Sequence, residues 1–248
     1  MEELNITWAY PDILNLHGDR GNIMALERIA KQMKITPNIK RINQYEEKID
    51  FENTDILFFN PGELKVMPSI IQALKEQKEA LEQYIEKGKT IIVIGTTGCI
   101  MAKRTKRING EIIQGLGYLD MTCEEREKVY GDDIHFKLKE GEQEIIGCQI
   151  QMIDTKIKED IALGTIIYGM GNQGDGTEGA KYKNVIFTNA LGPVLVKNPW
   201  YTEIIIRQAM EAKGYEKRNT LDFSLEEKSL ACIKKFIEEK EKVPCTQK

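Results

Sequence analysis

The chain has 248 residues, 41% of them hydrophobic and 30% charged, with a formal net charge of −4. That composition fits one large α/β domain, or a core with an attached lobe, and excludes a disordered chain. No basic stripe invites nucleic acid, no apolar run reaches membrane-spanning length, and Met1-Glu2-Glu3 opens without a signal segment, so a cytoplasmic location is expected.

Asn5 to Tyr10 reads as the first strand, broken by Pro11-Asp12 and followed by a loop over Leu14 to Asn22. Apolar residues near helical spacing (Ile23, Leu26, Ile29, Ala30, Met33) predict a helix. Short strands follow at Asn38–Ile42 and Asp55–Phe59, the second ended by Asn60-Pro61-Gly62. Pro68 opens a long helix to Lys87, which Gly88 caps. The β-branched run Thr90–Ile94 is a buried strand. It stops at the turn Gly95-Thr96-Thr97-Gly98 and restarts as a helix at Cys99.

The middle changes character. Ile134–Lys139, a turn at Glu140-Gly141-Glu142 and Glu144–Ile153 read as a hairpin. Leu163–Tyr168 is a strand, and Met170–Lys183 a long Gly-rich loop whose glycines match no phosphate cradle. Val185–Ala190 is the last strand. Asn198-Pro199 starts a helix to Lys213, and Ser224 with Glu227 forms a capping box for a final helix to Lys242. Leu230, Ile233, Phe236 and Ile237 of that helix are read as packing residues, and the tail after Val243 as frayed.

Alternating strands and helices predict a mostly parallel sheet with helices on both faces and an antiparallel hairpin insertion. Residues 1–213 form the domain, and 214–248 a helical extension packed on it. Ligands of such folds bind beyond the carboxyl ends of the strands. Here those ends are Tyr10–Gly21, Asn60–Lys65 and Gly95–Cys99. Five cysteines without a CxxC pair argue against zinc and against a disulfide framework, and no cofactor is expected. With only His17 and His135 available, His-dependent chemistry is confined to two positions.

Four ordered stretches resemble one family: Tyr10–Leu26, Gln114–Asp120, Tyr168–Gly179 and Leu191–Pro199. They are similar to the class I, triad-type glutamine amidotransferases of GatD and cobyric acid synthase type, over about Asn5 to Lys213. The resemblance implies a flavodoxin-like fold and a Cys–His glutaminase that passes ammonia to a partner. In the GatD type that partner is a Mur-ligase-like subunit that activates a carboxylate with ATP.

Counting back without gaps from Gly115-Leu116-Gly117 puts the family cysteine at Gly95. The family turn Cys-Gly-Gly-x-Gln becomes Gly95-Thr96-Thr97-Gly98-Cys99. The family His-Gly-Pro becomes Leu191-Gly192-Pro193, and Glu-x-His becomes Gln149-Ile150-Gln151. The oxyanion loop is reduced to Asn60-Pro61-Gly62-Glu63. Gly95 can form no thioester, Leu191 can move no proton, and Pro61 has no N–H to donate. Nucleophile, base and oxyanion loop are all lost.

Three readings follow. The first is a degenerate amidotransferase-like subunit in a heterodimer with a Mur-ligase-like, ATP-dependent ligase. The second is an active enzyme using Cys99 or a carboxylate such as Glu63 or Asp175. Cys99 lies one turn (about 5 Å) beyond Gly95, too far for the old pocket, since attack needs contact within about 3.5 Å. The third is a sensor that binds glutamine or a related amino acid in the vacated pocket. His17, Asp19, Arg20 and Asn22 of the first loop, with Asn60, Gly62, Thr96, Thr97, Gln149 and Gln151, are the candidate ligand or partner residues. Alternatively Asp19 or Asn22 caps the following helix, His17 is a surface residue, and His135 faces solvent from its strand.

Overall fold

In the computed structural model, which describes residues 2–141, 143–215 and 221–242, the run Thr90–Ile94 lies at the centre of a sheet. In chain order come β1 (Glu3–Ala9), α1 (Gly21–Gln32), β2 (Thr36–Ile42), β3 (Ile56–Phe59), α2 (Met67–Lys75), α3 (Lys78–Glu86), β4 (Thr90–Ile94) and α4 (Gly98–Met101). There follow β5 (Arg104–Lys106), β6 (Ile112–Gln114), β7 (Met121–Leu138), β8 (Glu144–Ile157) and β9 (Gly164–Tyr168). Last are β10 (Thr177–Glu178), β11 (Ala180–Tyr182), β12 (Val185–Thr188), α5 (Val194–Lys197), α6 (Pro199–Glu211) and α7 (Ser224–Lys242).

The first sheet has the order β11-β12-β4-β3-β1-β2 and is parallel except at its β11 edge. Its central strands are apolar throughout because both faces are covered. Leu57, Phe59, Ile91 and Val93 pack with α2 and α3, whereas Ile56, Phe58, Ile92 and Ile94 pack with α1 and α6. The expected hairpin is part of a second sheet, β10-β9-β7-β5-β6 with β8 beside β7. That sheet joins both cores: Ile113, Met121 and Ile153 enter one, and Ile134, Phe136 and Ile145 the other.

Several boundaries differ from the sequence reading. The single helix expected to Lys87 breaks at Gln77, whose backbone leaves the helical region (φ −117°) while its side chain accepts the Ile49 amide at 3.0 Å. Gly88 does close the second piece at φ +69°, the left-handed conformation a helix end requires. The helix after Gly98 is a single turn. The Gly-rich segment after Met170 is not all loop, since β10 pairs with β9 and β11 with β12. Asn198 spans to β8, bonding both the amide and the carbonyl of Ile146, rather than capping α6.

The helix α7 crosses from α1 to the second sheet. Glu226 lies 4.0 Å from Arg28, Lys234 pairs with Glu144, and Lys240 pairs with Asp132 and stacks over Tyr168. The Ser224 amide donates to Asp222, which takes the place expected of a capping box. Ile237 is buried, but Phe236 is 57% exposed, contrary to its reading as a packing residue. His135 does not face solvent: it is buried, with Nε2 2.7 Å from the Glu144 carboxylate. Val243 and the frayed tail expected after it lie outside the described residues.

Candidate functional site

At the end of β4 the chain turns sharply through Gly95 at φ +57°. A left-handed residue at a strand-to-helix junction holds whatever side chain it carries above the sheet edge. A Cβ built there would meet only ordinary contacts, 3.6 Å from Leu191 Cδ2 and 3.6 Å from Pro61 Cβ. The backbone therefore keeps an elbow with room for a side chain, and the sequence supplies none. Leu191 is fixed opposite by paired backbone bonds with Cys148 on β8 (3.1 and 2.8 Å). The two chain positions expected from the family pattern thus face each other, one bare and one aliphatic.

The neighbouring groups are already satisfied. The Thr96 hydroxyl donates to the Gly62 carbonyl at 2.6 Å and accepts the Gly62 amide at 3.1 Å. The amide of Gly62, in the loop expected from the resemblance to be the oxyanion loop, is therefore occupied by this threonine. The Thr97 hydroxyl accepts the Ile94 amide at 2.9 Å and holds the turn itself. Asn60 is buried. With its amide oxygen toward the Trp8 indole it accepts Nε1–H at 3.2 Å and donates to the Asp19 carbonyl at 3.0 Å.

The first loop is tied to the Leu191 segment rather than held open. Asp19 Oδ1 accepts the Gly192 amide at 3.2 Å and the Asn22 side chain at 3.3 Å, while Asn22 accepts the Leu195 amide at 2.9 Å. Neither side chain caps α1. Burial pushes the Asp19 carboxyl up to about 6, against the opposing pull of these donors and of Lys197. Arg20 stays at the rim, bonding Asn15 and the Pro11 carbonyl, and its guanidinium shares the Trp8 ring with that of Arg41. His17 is exposed at φ +58°.

Gln149 and Gln151 act on the Gly-rich segment. Gln149 accepts the Met170 and Gly171 amides, both at 3.2 Å, and donates to the Gly171 carbonyl at 2.7 Å. Gln151 donates to the Asn172 carbonyl at 2.9 Å. Deeper in, the buried Glu178 accepts the Thr188 hydroxyl and the amide and side chain of Asn189. These polar residues are scaffolding for the loop that borders the site.

The position of Cys99 does not bring it to the elbow. Cys99 is wholly buried beside Cys123 and Thr105, and its bond to Cys123 together with burial raises its thiol well above the usual range. It points into the core, away from the elbow. Glu63 pairs with Lys65 in solvent at 2.6 Å, and Asp175 accepts the amide and hydroxyl of Thr177 within its own loop. Sequence reasoning missed Cys148, a half-buried thiol beside Gly192, and Lys197 close by. Nothing in local sequence signals either, because the pairing of Cys148 with Leu191 is non-local.

A parallel α/β core whose central strand runs into an elbow, with a second sheet over its edge, defines the class I glutamine amidotransferase fold. A glutamine amidotransferase crystal structure matches with a TM-score of 0.55 at 18% identity, over 83% of this chain and 98% of that one. PurLQS from Thermotoga maritima matches at 0.55 and 12% identity, over 86% and 97%. In sequence, residues 5–199 match the CobB/CobQ-like glutamine amidotransferase domain. The lipid II isoglutaminyl synthase (glutamine-hydrolyzing) subunit GatD of Staphylococcus aureus strain N315 is 32% identical over 216 residues, 86% of this chain and 87% of that protein. The GatD subunit of Streptococcus pneumoniae R6 is 25% identical over 85% of this chain and 82% of its own. The chain belongs to the CobB/CobQ-like glutamine amidotransferase family, of GatD type. Among the described residues no helix is long and apolar enough to cross a membrane.

Proposed function

We propose that this chain is a degenerate amidotransferase-like subunit that docks on and supports a Mur-ligase-like, ATP-dependent amide-forming ligase in the cytoplasm. The observation that carries the reading is the bare elbow: Gly95 keeps φ +57° and space for a side chain, opposite Leu191. Thr96 occupying the Gly62 amide adds a second, independent loss. A thioester needs a sulfur, and its formation and hydrolysis need a proton carrier; the turn offers neither. The GatD relatives are named as subunits of a synthase, which supports a partnered role. The partner then takes its amine from solution, as free ammonia or another amine. Residues 1–213 constitute the amidotransferase-like domain, and α7 (Ser224–Lys242) is an extension laid on it.

The test is glutamate release from glutamine by the purified chain, alone and with a Mur-ligase-like partner from the same organism. The reading expects no release in either case and a stable complex with the ligase. Release above background, or a chain that never associates with such a ligase, overturns it.

A further inference from the structure

Away from the elbow, the second sheet presents a cup of about 290 Å3 on its outer face. The register of three strands builds it. Arg104 on β5 stands opposite Thr122 on β7, and Thr122 stands opposite Lys156 on β8. The adjoining row Thr105, Cys123 and Thr155 is buried, so alternation turns Arg104, Thr122 and Lys156 outward on one face. Two strand spacings, about 10 Å, separate the arginine and lysine backbones, a gap that their long side chains can close over the threonine hydroxyl.

Most other charged side chains around the cup are paired. Lys103 and Lys158 pair with Asp120, Lys106 with Glu124, Arg107 with Glu125 and Arg126 with Asp154. Both carboxylates inside the cup, Glu124 and Asp154, are thereby neutralised by cations other than Arg104 and Lys156. Those two side chains make no ion pair or hydrogen bond among the described residues. Two unmatched cations in one cross-strand row repel each other, and in a chain of net charge −4 carboxylates are plentiful enough to have quenched them. An anion between them removes the repulsion.

We propose that this cup binds a phosphoryl oxyanion. The Arg104 guanidinium takes two oxygens as a fork, Lys156 supplies a point charge on the far side, and the Thr122 hydroxyl donates from the floor. The proposal stands apart from what the elbow does. The phosphoryl group belongs either to a soluble phosphate or diphosphate compound or to a lipid headgroup.

The test is calorimetric titration of the full chain with inorganic pyrophosphate at physiological salt, beside sedimentation with vesicles containing phosphatidic acid or, at equal charge, phosphatidylserine. Saturable binding is expected, weakened about tenfold in Arg104→Ala and in Lys156→Ala, the loss of one charge-assisted contact each. Arg104→Lys keeps the charge without the fork and is expected to recover only part of the affinity. Lys103→Ala, which removes a paired lysine nearby, is expected to change little. Pyrophosphate binding alone assigns a soluble ligand. Added binding to phosphatidic acid but not phosphatidylserine vesicles, lost in the same variants, assigns a headgroup. No saturation with either probe, or binding that Arg104→Ala leaves intact, overturns the proposal.

Discussion

At the scale of single residues, the proposed loss of the glutaminase site rests on positions that exclude one another's repair. Gly95→Cys fits sterically, yet a non-glycine residue at φ +57° costs about 1–2 kcal/mol, and the Gly62 amide stays bound to Thr96. Gly95→Cys combined with Leu191→His is therefore expected to release no glutamate above background in a coupled assay, and turnover would show that the occupied amide is dispensable. Asp19 gives a test of a different kind. Its folded carboxyl holds a proton up to about pH 6, whereas the unfolded one releases it near 3.8. The folded state thus binds more protons between those values, and the Asp19 contribution to stability falls as pH rises through that window, by about 3 kcal/mol in all. Asp19→Asn should gain stability relative to the parent at pH 7 and little at pH 4, as read by urea unfolding at both. Equal effects at the two pH values would mean that the ionised carboxylate is better solvated than its burial implies. The proximity of Gly95 and Leu191 is legible in the sequence because ordered motifs bracket both. The Thr96–Gly62 contact and the burial of Cys99 are not, because both depend on which side of a one-turn helix meets a distant strand.

At the scale of elements, continuous apolar runs such as Thr90–Ile94 announce their strands because a sheet covered on both faces needs no alternation. β7 is hard to read before Ile134 for the opposite reason: its register slips between Glu125 and Tyr130, and its charged residues are held by cross-strand ion pairs rather than by a core. Gln149 and Gln151 look like vacated catalytic positions in sequence, yet they are the pins of the Gly-rich segment. Gln149→Ala would leave the Met170 and Gly171 amides without their acceptor and cost about 2–3 kcal/mol, with new proteolytic cleavage between Met170 and Gly179. Unchanged melting and an intact segment would show that β10 alone holds it. On α7, Ile237→Ala should lower stability by about 2–4 kcal/mol, whereas Phe236→Ala, at an exposed position, should stay within about 0.5 kcal/mol. Equal effects would mean that the helix lies on the sheet by its other face.

At the scale of the whole molecule, the second sheet is not an appendage. Each core cluster draws residues from both sheets, and Trp200 on α6 donates its indole N–H to the Glu144 carbonyl of β8 at 3.1 Å. The two sheets are expected to unfold together. Far-ultraviolet dichroism, which follows both, should give the same urea midpoint as fluorescence from Trp8 in β1 and Trp200 in α6. Two separated transitions would mean that the shared clusters do not couple the sheets. The mostly parallel first sheet follows from the alternation of strands and helices in the chain. The size of the second sheet does not, because its short strands β5 and β6 carry too few residues to show a period.

The left-handed turn at Gly95 also bears on how such a chain changes over generations. Glycine is the residue for which that conformation is free of strain, so on the proposed reading the exchange of a nucleophile for Gly95 would relax the fold as it removed the chemistry. On that reading, restoring a glutaminase would require a sulfur at Gly95, an imidazole at Leu191 and a vacated amide at Gly62. The first of these lowers stability before any of them restores a reaction. Selection would see only that loss at the first step, so the change from enzyme to companion subunit proposed above would act as a ratchet.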